Sequence, residues 1–258
     1  MGEVMIRNRW IRKFVIIAFW LAIWQLISMF IDNSIVLVGP LDVIRALFRE
    51  SITIEFWSSI LYSFGKISLG FLTAFLLGIL LGSFAYRFQW LKELLEPIIM
   101  IIKSIPVASF VILALIWMGS KNLSIIISFL VVFPIIYINT IAGLDSTDHK
   151  LLEMAQVFRI PIWKRIKYIY RVSLLPYLIS GCKVALGMSW KSGIAAEVIG
   201  VPDKSIGERL YMSKIYLSTD ELFAWTVVII LISALFEKLF LTLLRKLQKD
   251  REVQAHEN

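Results

Sequence analysis

The sequence predicts an all-α integral membrane protein with six transmembrane helices. Of its 258 residues, 59% are hydrophobic and 18% are charged, and the mean hydropathy is +0.79, whereas soluble domains are roughly 45–50% apolar. Apolar runs of about twenty residues, the length that a helix needs to span a bilayer, alternate with short polar breaks. Strands of a membrane β-barrel would be about ten residues long and would alternate polar with apolar residues.

The predicted membrane domain covers residues 14–244, between an N-terminal segment, 1–13, and a tail, 245–258. Its six spans are 14–31, 59–84, 97–118, 123–144, 175–199 and 222–244. We do not expect the first span to be cleaved as a signal peptide. Its apolar run is longer than a secretory core, and Ser28-Met29-Phe30-Ile31 offers no small-x-small cleavage site.

Both termini are predicted to lie in the cytoplasm, because basic residues near span ends resist translocation. With this orientation the inner segments carry sixteen Lys and Arg residues and the outer segments carry six. The net charge of +8 is then explained by topology and by attraction to anionic inner-leaflet lipid. It does not indicate nucleic acid binding.

The sequence contains no pattern typical of catalysis or metal binding. Cys182 is the one cysteine and lies in an apolar span, and His149 and His256 are isolated, which leaves no disulfide and no metal-ligand spacing. A phosphate-binding loop of the Gly-x-x-x-x-Gly-Lys-Ser/Thr type is also absent. We therefore expect no enzymatic activity and no cofactor in this chain. If ATP drives transport, another polypeptide must bind the nucleotide.

The loop 145–172 is the only predicted inner loop long enough to receive such a partner. Asp148 can cap a helix that ends near Ile160, because Pro161 breaks it and suits the first turn of a second short helix. The apolar face of the first helix is formed by Leu151, Ala155, Phe158 and Ile162. Two interpretations follow from the residues: a rigid helix pair that docks a partner, or an amphipathic hairpin that lies among lipid headgroups.

Small residues and prolines in the other spans indicate close packing and bending. Four small residues recur every fourth position in the second span and predict close approach by another helix; they are Gly70, Ala74, Gly78 and Gly82. Pro106 and Pro134 each free a backbone carbonyl and predict bends in the third and fourth spans. Each bend is either a structural kink or a broken segment that lines a cavity.

The fifth span carries polar residues that are costly in a bilayer. Lys183, Trp190 and Glu197 share one helical face, and Lys191 lies beside it. These four are candidates for a solute path, for a subunit interface with intramembrane ion pairs, or, for the lysines, for snorkelling to headgroups. Lys191 is the best single candidate for contact with an anion. Lys103, nearer a span end, is assigned a structural role.

The inner loop resembles a motif of binding-protein-dependent ABC importer permeases. In that family Glu-Ala-Ala is followed three residues later by Gly and nine residues after that by Ile-x-Leu-Pro; here Glu153-Met154-Ala155 opens the motif and Leu174-Leu175-Pro176 closes it. The similarity extends over almost the whole chain and looks closest to the nitrate, sulfonate and taurine branch. Other segments follow that branch in order: Val38-Gly39-Pro40, Leu94-Leu95-Glu96-Pro97, Ser104-Ile105-Pro106, Ile116-Trp117-Met118-Gly119, Phe133-Pro134-Ile135, Gly181-Cys182-Lys183 and Ala195-Ala196-Glu197.

Three positions depart from the family pattern. Met154 replaces the first Ala, Arg159 stands where the Gly would be, and Arg171-Val172 replaces the first Leu-Pro of the branch. The family's Gly permits a sharp turn after the coupling helix. Arg159 must therefore either adopt a strained turn or shift the turn towards Pro161.

The resemblance implies the six-helix fold of a type I importer permease with cytoplasmic coupling helices. It implies ATPase contact through Leu151, Glu153, Met154, Ala155, Phe158, Arg159 and Pro161, and it adds Pro176 to the hinge or packing residues. Two ATPase subunits would bind ATP and Mg²⁺, and a second copy or a close homologue would complete the pathway. An extracytoplasmic binding protein would contact residues 32–57 and 201–221 and deliver a small anionic solute.

Two other functions remain open from the residues alone. A secondary transporter driven by an ion gradient would be favoured by inverted internal repeats, and none is evident between the two halves. An intramembrane enzyme would need a nucleophile with a base or a metal cluster, and the scarcity of His and Cys counts against it.

Overall fold

The computed structural model of the protein describes the backbone of residues 2–249 and the side chains of residues 11–246. Within these residues the elements are α1 (Gly2–Ile31), α2 (Pro40–Ser51), α3 (Ile54–Arg87), α4 (Gln89–Ser104), α5 (Val107–Met118), α6 (Leu123–Asp145), α7 (His149–Val157), α8 (Ile162–Arg165), a π-helical turn (Ile166–Tyr170), α9 (Arg171–Gly200), α10 (Ile206–Ile215) and α11 (Thr219–Lys249). The end of the predicted tail, with His256, lies outside the described residues.

Up to six membrane spans are available in the described part of the chain. Five are continuous helices long and apolar enough to cross a bilayer: residues 11–31 of α1, α3, α6, the helix from Ile162 to Gly200, and α11. A sixth is available if α4 and α5, which are bent relative to one another, count as one broken span. Every predicted span except the third lies within one of the continuous helices. The predicted all-α membrane fold is confirmed.

The third predicted span, 97–118, is corrected by the structure. α4 already begins at Gln89, and α4 and α5 are bent by 103° relative to one another. The break falls at Ile105, whose ψ of 131° is extended, because proline disfavours helical backbone in the residue before it. Pro106 also has no N–H to donate to the preceding turn. The bend predicted at Pro106 is therefore a complete break between two helices.

The other two prolines of the predicted hinge set lie inside unbroken helices. α6 continues through Pro134, and α9 continues through Pro176. The second short helix predicted for the inner loop is not separate, because α8 passes through the π turn directly into α9. Residues 162–175 contain no glycine or proline that would end a helix there.

The core is formed by α6 packed between α3 and α9. The small residues of α3 lie against α6: a Cβ on Gly70 would meet the Ile125 carbonyl, and a Cβ on Gly78 would meet the Ile136 side chain at 2.9 Å. On the other side, a Cβ on Gly181 would meet Asn139 at 2.8 Å. Because glycine has no side chain, the three backbones can approach closely at these positions, which is how helices commonly associate in a bilayer.

Aromatic rings attach α11 to this core. Phe236 and Phe240 pack edge-on against Phe71 of α3, with ring centroids 5.8 and 4.9 Å apart. Edge-to-face geometry places the positive edge of one ring on the negative face of another and adds to the burial of apolar area. α11 is thus held against α3 along its middle turns.

α1 stands apart from this bundle. It approaches the other helices near its C-terminal end, where the Trp24 ring lies 5.6 Å from that of Phe223 in α11, and the Ser28 hydroxyl donates a hydrogen bond to the Leu37 carbonyl. Its apolar side chains, such as Phe14, Trp20 and Phe30, are exposed. This surface is suited to contact with lipid or with another membrane helix.

We expect Gly70→Ala to lower the stability of the bundle by about 1–3 kcal/mol, the usual cost of overpacking, because the new methyl group would meet a backbone carbonyl that cannot rotate away. Gly65→Ala is the matched control, since nothing lies within 4 Å of a Cβ at that position of the same helix. Thermal unfolding in detergent checks both. Equal melting temperatures for the two variants would contradict the packing account.

Candidate functional site

One end of the bundle carries an elbow, which we define as α7, the turn 158–161 and α8 with the π turn. Asp148 caps α7, because its carboxylate accepts a hydrogen bond of 2.9 Å from the Lys150 N–H. His149 follows as the first helical residue and is exposed. The elbow joins the end of α6 to the start of α9. It is therefore attached to two of the three core helices.

A Schellman turn ends α7. The Ile160 N–H donates to the Ala155 carbonyl at 2.9 Å, and the Arg159 N–H donates to the Gln156 carbonyl at 3.0 Å. A turn of this kind needs a left-handed residue, and Arg159 occupies that position with a φ of +49°. Glycine is favoured there because a Cβ makes positive φ costly. Of the two alternatives that the sequence left open, Arg159 thus adopts the strained turn.

The side chain of Arg165 ties the two arms of the elbow together. Its Nε donates to the Ile160 carbonyl at 2.8 Å, and its Nη2 donates to the Ala155 carbonyl at 3.1 Å. Charged donors form stronger hydrogen bonds than neutral ones, and a cation also suits the negative end of the α7 dipole. Arg165 therefore holds the strained turn in place.

The elbow exposes large apolar side chains. Phe158 is 73% exposed and Trp163 is 78% exposed. A cavity of about 510 Å³ lies at the bend, and the residues that line it include Leu151, Met154, Phe158, Arg159 and Pro161. Of the seven residues predicted for ATPase contact, Glu153 and these five are exposed, whereas Ala155 is fully buried. Ala155 is thus a packing residue beneath the surface.

The four polar residues predicted for the solute path are divided between two environments. Lys183 and Lys191 are exposed, whereas Trp190 is 2% exposed and Glu197 is 0% exposed. The predicted face exists, but α3, α10 and α11 cover its second half, where Trp190 packs against aromatic rings. The expectation that Trp190 and Glu197 contact a solute is therefore corrected for this conformation.

Glu197 joins three helices at the end of the bundle opposite the elbow. Its Oε2 accepts a hydrogen bond of 2.6 Å from the Ser63 hydroxyl of α3 and one of 3.3 Å from the Gly207 N–H of α10. The Ile206 N–H in turn donates to the Ser63 hydroxyl at 2.9 Å. The carboxyl group thus lies against the N-terminus of α10, where the helix dipole favours negative charge. This role is structural.

Exposed ion pairs cross the same end. They join Arg49 of α2 to Asp220 and Glu221 of α11, and Arg209 of α10 to Glu55 of α3, at 2.9–3.2 Å. Exposed pairs contribute about 0–1 kcal/mol each, so their main effect is a surface of mixed charge. Beside them, burial and the nearby Glu221 raise the pKa of the Glu50 carboxyl. The predicted segments 32–57 and 201–221 meet at this surface.

A groove with a volume of about 490 Å³ lies between α4 and α6. Its lining includes Lys92, Glu96 and Lys103 from α4 and Tyr137 and Asp145 from α6. A second cavity of about 360 Å³ shares Lys103 and lies at the break between α4 and α5. Lys103, which was expected to have a structural role because it lies near a span end, thus lines both cavities.

The fold and the elbow agree with a comparison with known families. Residues 74–252, more than half of the chain, match the family described as "Binding-protein-dependent transport system inner membrane component", and the chain belongs to this family. It is accordingly a multi-pass inner-membrane permease subunit of an ABC importer and not an enzyme. Such importers also contain ABC ATPase subunits and a substrate-binding protein.

Three relatives illustrate the branch of the family. The putative aliphatic sulfonates transport permease protein SsuC of Bacillus subtilis is 25% identical over 95% of this chain and 89% of its own length. The nitrate import permease protein NrtB of Synechococcus elongatus is 26% identical over 82% and 86%. The taurine transport system permease protein TauC of Escherichia coli is 26% identical over 70% and 66%. The resemblance stated from the sequence is thereby confirmed.

We expect Arg165→Met to loosen the elbow without unfolding the bundle. It removes two charge-assisted hydrogen bonds worth about 1.5–3 kcal/mol each, so amide exchange at Arg159 and Ile160 should become faster. Hydrogen–deuterium exchange of the purified protein measures this directly. Lys164→Met, at the adjacent exposed position, is the control and should leave exchange unchanged. Equal exchange in both variants would show that the hydrogen bonds of Arg165 do not stabilise the turn.

Proposed function

We propose that this permease opens a membrane path for a small anionic solute when an ATPase docks on the elbow and moves it. The observation that carries the proposal is the elbow itself. Its two arms are held together by the hydrogen bonds of Arg165, and it exposes large apolar side chains at one end of the bundle. Exposed aromatic side chains in a segment that is otherwise polar mark a contact surface for a partner. The family resemblance of this segment, at Glu153 and Ala155, supports an ATPase as that partner.

The proposed orientation places the elbow and both termini in the cytoplasm. The excess of Lys and Arg on that side, sixteen residues against six, supports it. The opposite end, with its mixed charge, would then face the binding protein. A polar surface of this kind suits a transient, hydrated interface. ATP and Mg²⁺ would be bound by the ATPase subunits, with no cofactor in this chain.

The proposed path runs along the uncovered face of α9. Lys183 and Lys191 are exposed there, and an ammonium group is costly against lipid unless it reaches water, a headgroup or a partner. A second permease copy facing this surface would enclose both lysines in a shared, water-filled path. Positive charge on its walls would lower the barrier for a sulfonate or nitrate, the kinds of solute named for the relatives.

The proposed mechanism follows from how the elbow is attached. Closure of the ATPase pair on ATP would push the elbow, and the push would pass into α6 through the short link 146–148 and into α9 through the continuous helix that begins with α8. The two helices would swing together and expose the path to the binding protein. Hydrolysis would reset them. The stiffness of the turn at Arg159 decides how much of the motion is transmitted.

The docking part of the proposal is tested by co-purification of the tagged permease with its ATPase. Glu153→Ala and Phe158→Asp should release the ATPase, since loss of a well-packed contact residue weakens binding by about tenfold or more. Tyr216→Asp, at an equally exposed aromatic residue near the opposite end, is the control. Variants at Glu153 and Phe158 that keep both the ATPase and transport would refute the docking surface.

The path is tested separately by uptake into vesicles that contain the complete complex. Lys191→Met should slow uptake of an anionic solute while the complex stays assembled, because an attractive charge is lost from the path, and Lys191→Arg should restore it. Lys238→Met, at an exposed lysine of α11, should have no effect. Unchanged uptake kinetics in Lys191→Met would exclude contact between this residue and the solute.

A further inference from the structure

The segment between α1 and α2 turns back alongside α1. The Ser28 hydroxyl of α1 donates to the Leu37 carbonyl at 3.3 Å, and Gly39 lies against the side chain of Gln25 in α1. Gln25 is six residues before the end of α1 at Ile31, a distance of about 9 Å along the helix. Because this part of α1 belongs to a candidate membrane span, α2 starts below the end of that span.

From this low start α2 climbs along the first turns of α11. Val43 and Ala46 are buried in one cluster with Ala224, which lies in the second turn of α11. Nearer the end of α2, Arg49 pairs with Asp220 in the first turn of α11 at 3.2 Å. α2 is therefore inclined, with its N-terminus deep and its C-terminus at the end of the bundle.

A strip of apolar side chains runs along the outward side of α2. Four exposed residues share this side, within an arc of about 80° at 3.6 residues per turn. They are Leu41, Ile44, Phe48 and Ile52, which we call the apolar strip. Val43 and Ala46, which pack against α11, lie on the opposite side of the helix. A helix that faces water exposes polar residues on its outer side, so the strip is not suited to water.

The apolar strip leads along the chain into the exposed face of α3. Ile54, Trp57 and Leu61 are all exposed at the start of α3, and α3 is a continuous membrane span. The Trp57 indole N–H donates to the Ser51 carbonyl at 2.9 Å. Tryptophan is enriched at the boundary between membrane and water, where its ring meets lipid and its N–H finds a polar partner. The strip thus continues a surface that crosses the bilayer.

We propose that α2 is half inserted in the leaflet opposite the elbow, where the apolar strip contacts lipid acyl chains. Helices that lie in a membrane interface bury their apolar face about 5–10 Å deep, and the turn back alongside α1 gives α2 this depth. Asp42, Arg45 and Arg49 flank the strip on one side, at a place suited to lipid headgroups. This inference goes beyond the proposed function and does not depend on the elbow or the path.

Lipid fits this position better than a protein partner does. α2 packs against α11 and α1, whereas the second permease copy is proposed to face Lys183 and Lys191 of α9. A binding protein approaches from water and cannot reach side chains below the end of α1. Of the predicted segment 32–57, it would therefore meet only the parts on either side of the inserted strip.

The depth of α2 is tested with nitroxide spin labels on the complete permease–ATPase complex in phosphatidylglycerol nanodiscs. Labels at Leu41→Cys and Phe48→Cys should collide with oxygen far more often than with a water-soluble nickel chelate, and depth should decrease towards Ile52→Cys. Asp203→Cys, in the exposed turn before α10, is the control and should favour the chelate. The native Cys182 is buried, and the spectrum of the unsubstituted complex gives the background. Equal access of the chelate to positions 41, 48 and 203 would overturn the proposal.

The occupant of the strip is identified by photocrosslinking in the same nanodiscs with the binding protein present. With p-benzoylphenylalanine in place of Phe48, irradiation should add the mass of one phospholipid to the permease. The same replacement at Asp203 should give no such product. A crosslink from position 48 to a second permease or to the binding protein, or no lipid product, would overturn the proposal. Co-purification of the ATPase judges the docking surface separately, because neither position lies in the elbow.

Discussion

The close contact of α6 with α3 and α9 is the constraint on which the rest of the structure depends. In a bilayer the backbone is satisfied within each helix, and little hydrophobic driving force remains between helices. Association therefore depends on packing, and here it depends on positions such as Gly70 and Gly181, where a side chain would collide with α6. α6 is fixed on both sides by these contacts. Both the elbow and one wall of the groove are built on it.

Two polar regions of the bundle differ in burial. At the end with α10, Oε2 of the buried Glu197 accepts hydrogen bonds from the Ser63 hydroxyl and from the Gly207 N–H at the N-terminus of that helix, while its Oε1 has no hydrogen-bond partner. One carboxyl group thus holds α3, α9 and α10 together in a buried polar contact, which is stronger in a low dielectric than in water. In the groove between α4 and α6, by contrast, the charged side chains of Glu96, Lys103 and Asp145 are exposed.

Much of the fold could be predicted from the sequence, because span length, the Asp148 cap and the four-residue spacing in α3 depend on local periodicity. The break at Ile105 and the continuity of α8 with α9 could not, since a proline permits several outcomes and neighbouring helices decide among them. For the site, the sequence indicated the exposed elbow but missed Arg165, whose partners are carbonyls five and ten residues away. It also placed Glu197 on a face that α3 and α10 cover.

The connection between elbow and groove has a mechanical consequence. Asp145 is both the last residue of α6 and part of the groove lining, and α7 begins four residues later. A displacement of the elbow that reaches α6 would therefore shift one wall of the groove, whereas α4 forms the other wall and ends at the break at Ile105. Such a displacement can change the binding of a ligand in the groove only if the two positions of the wall differ in affinity for that ligand.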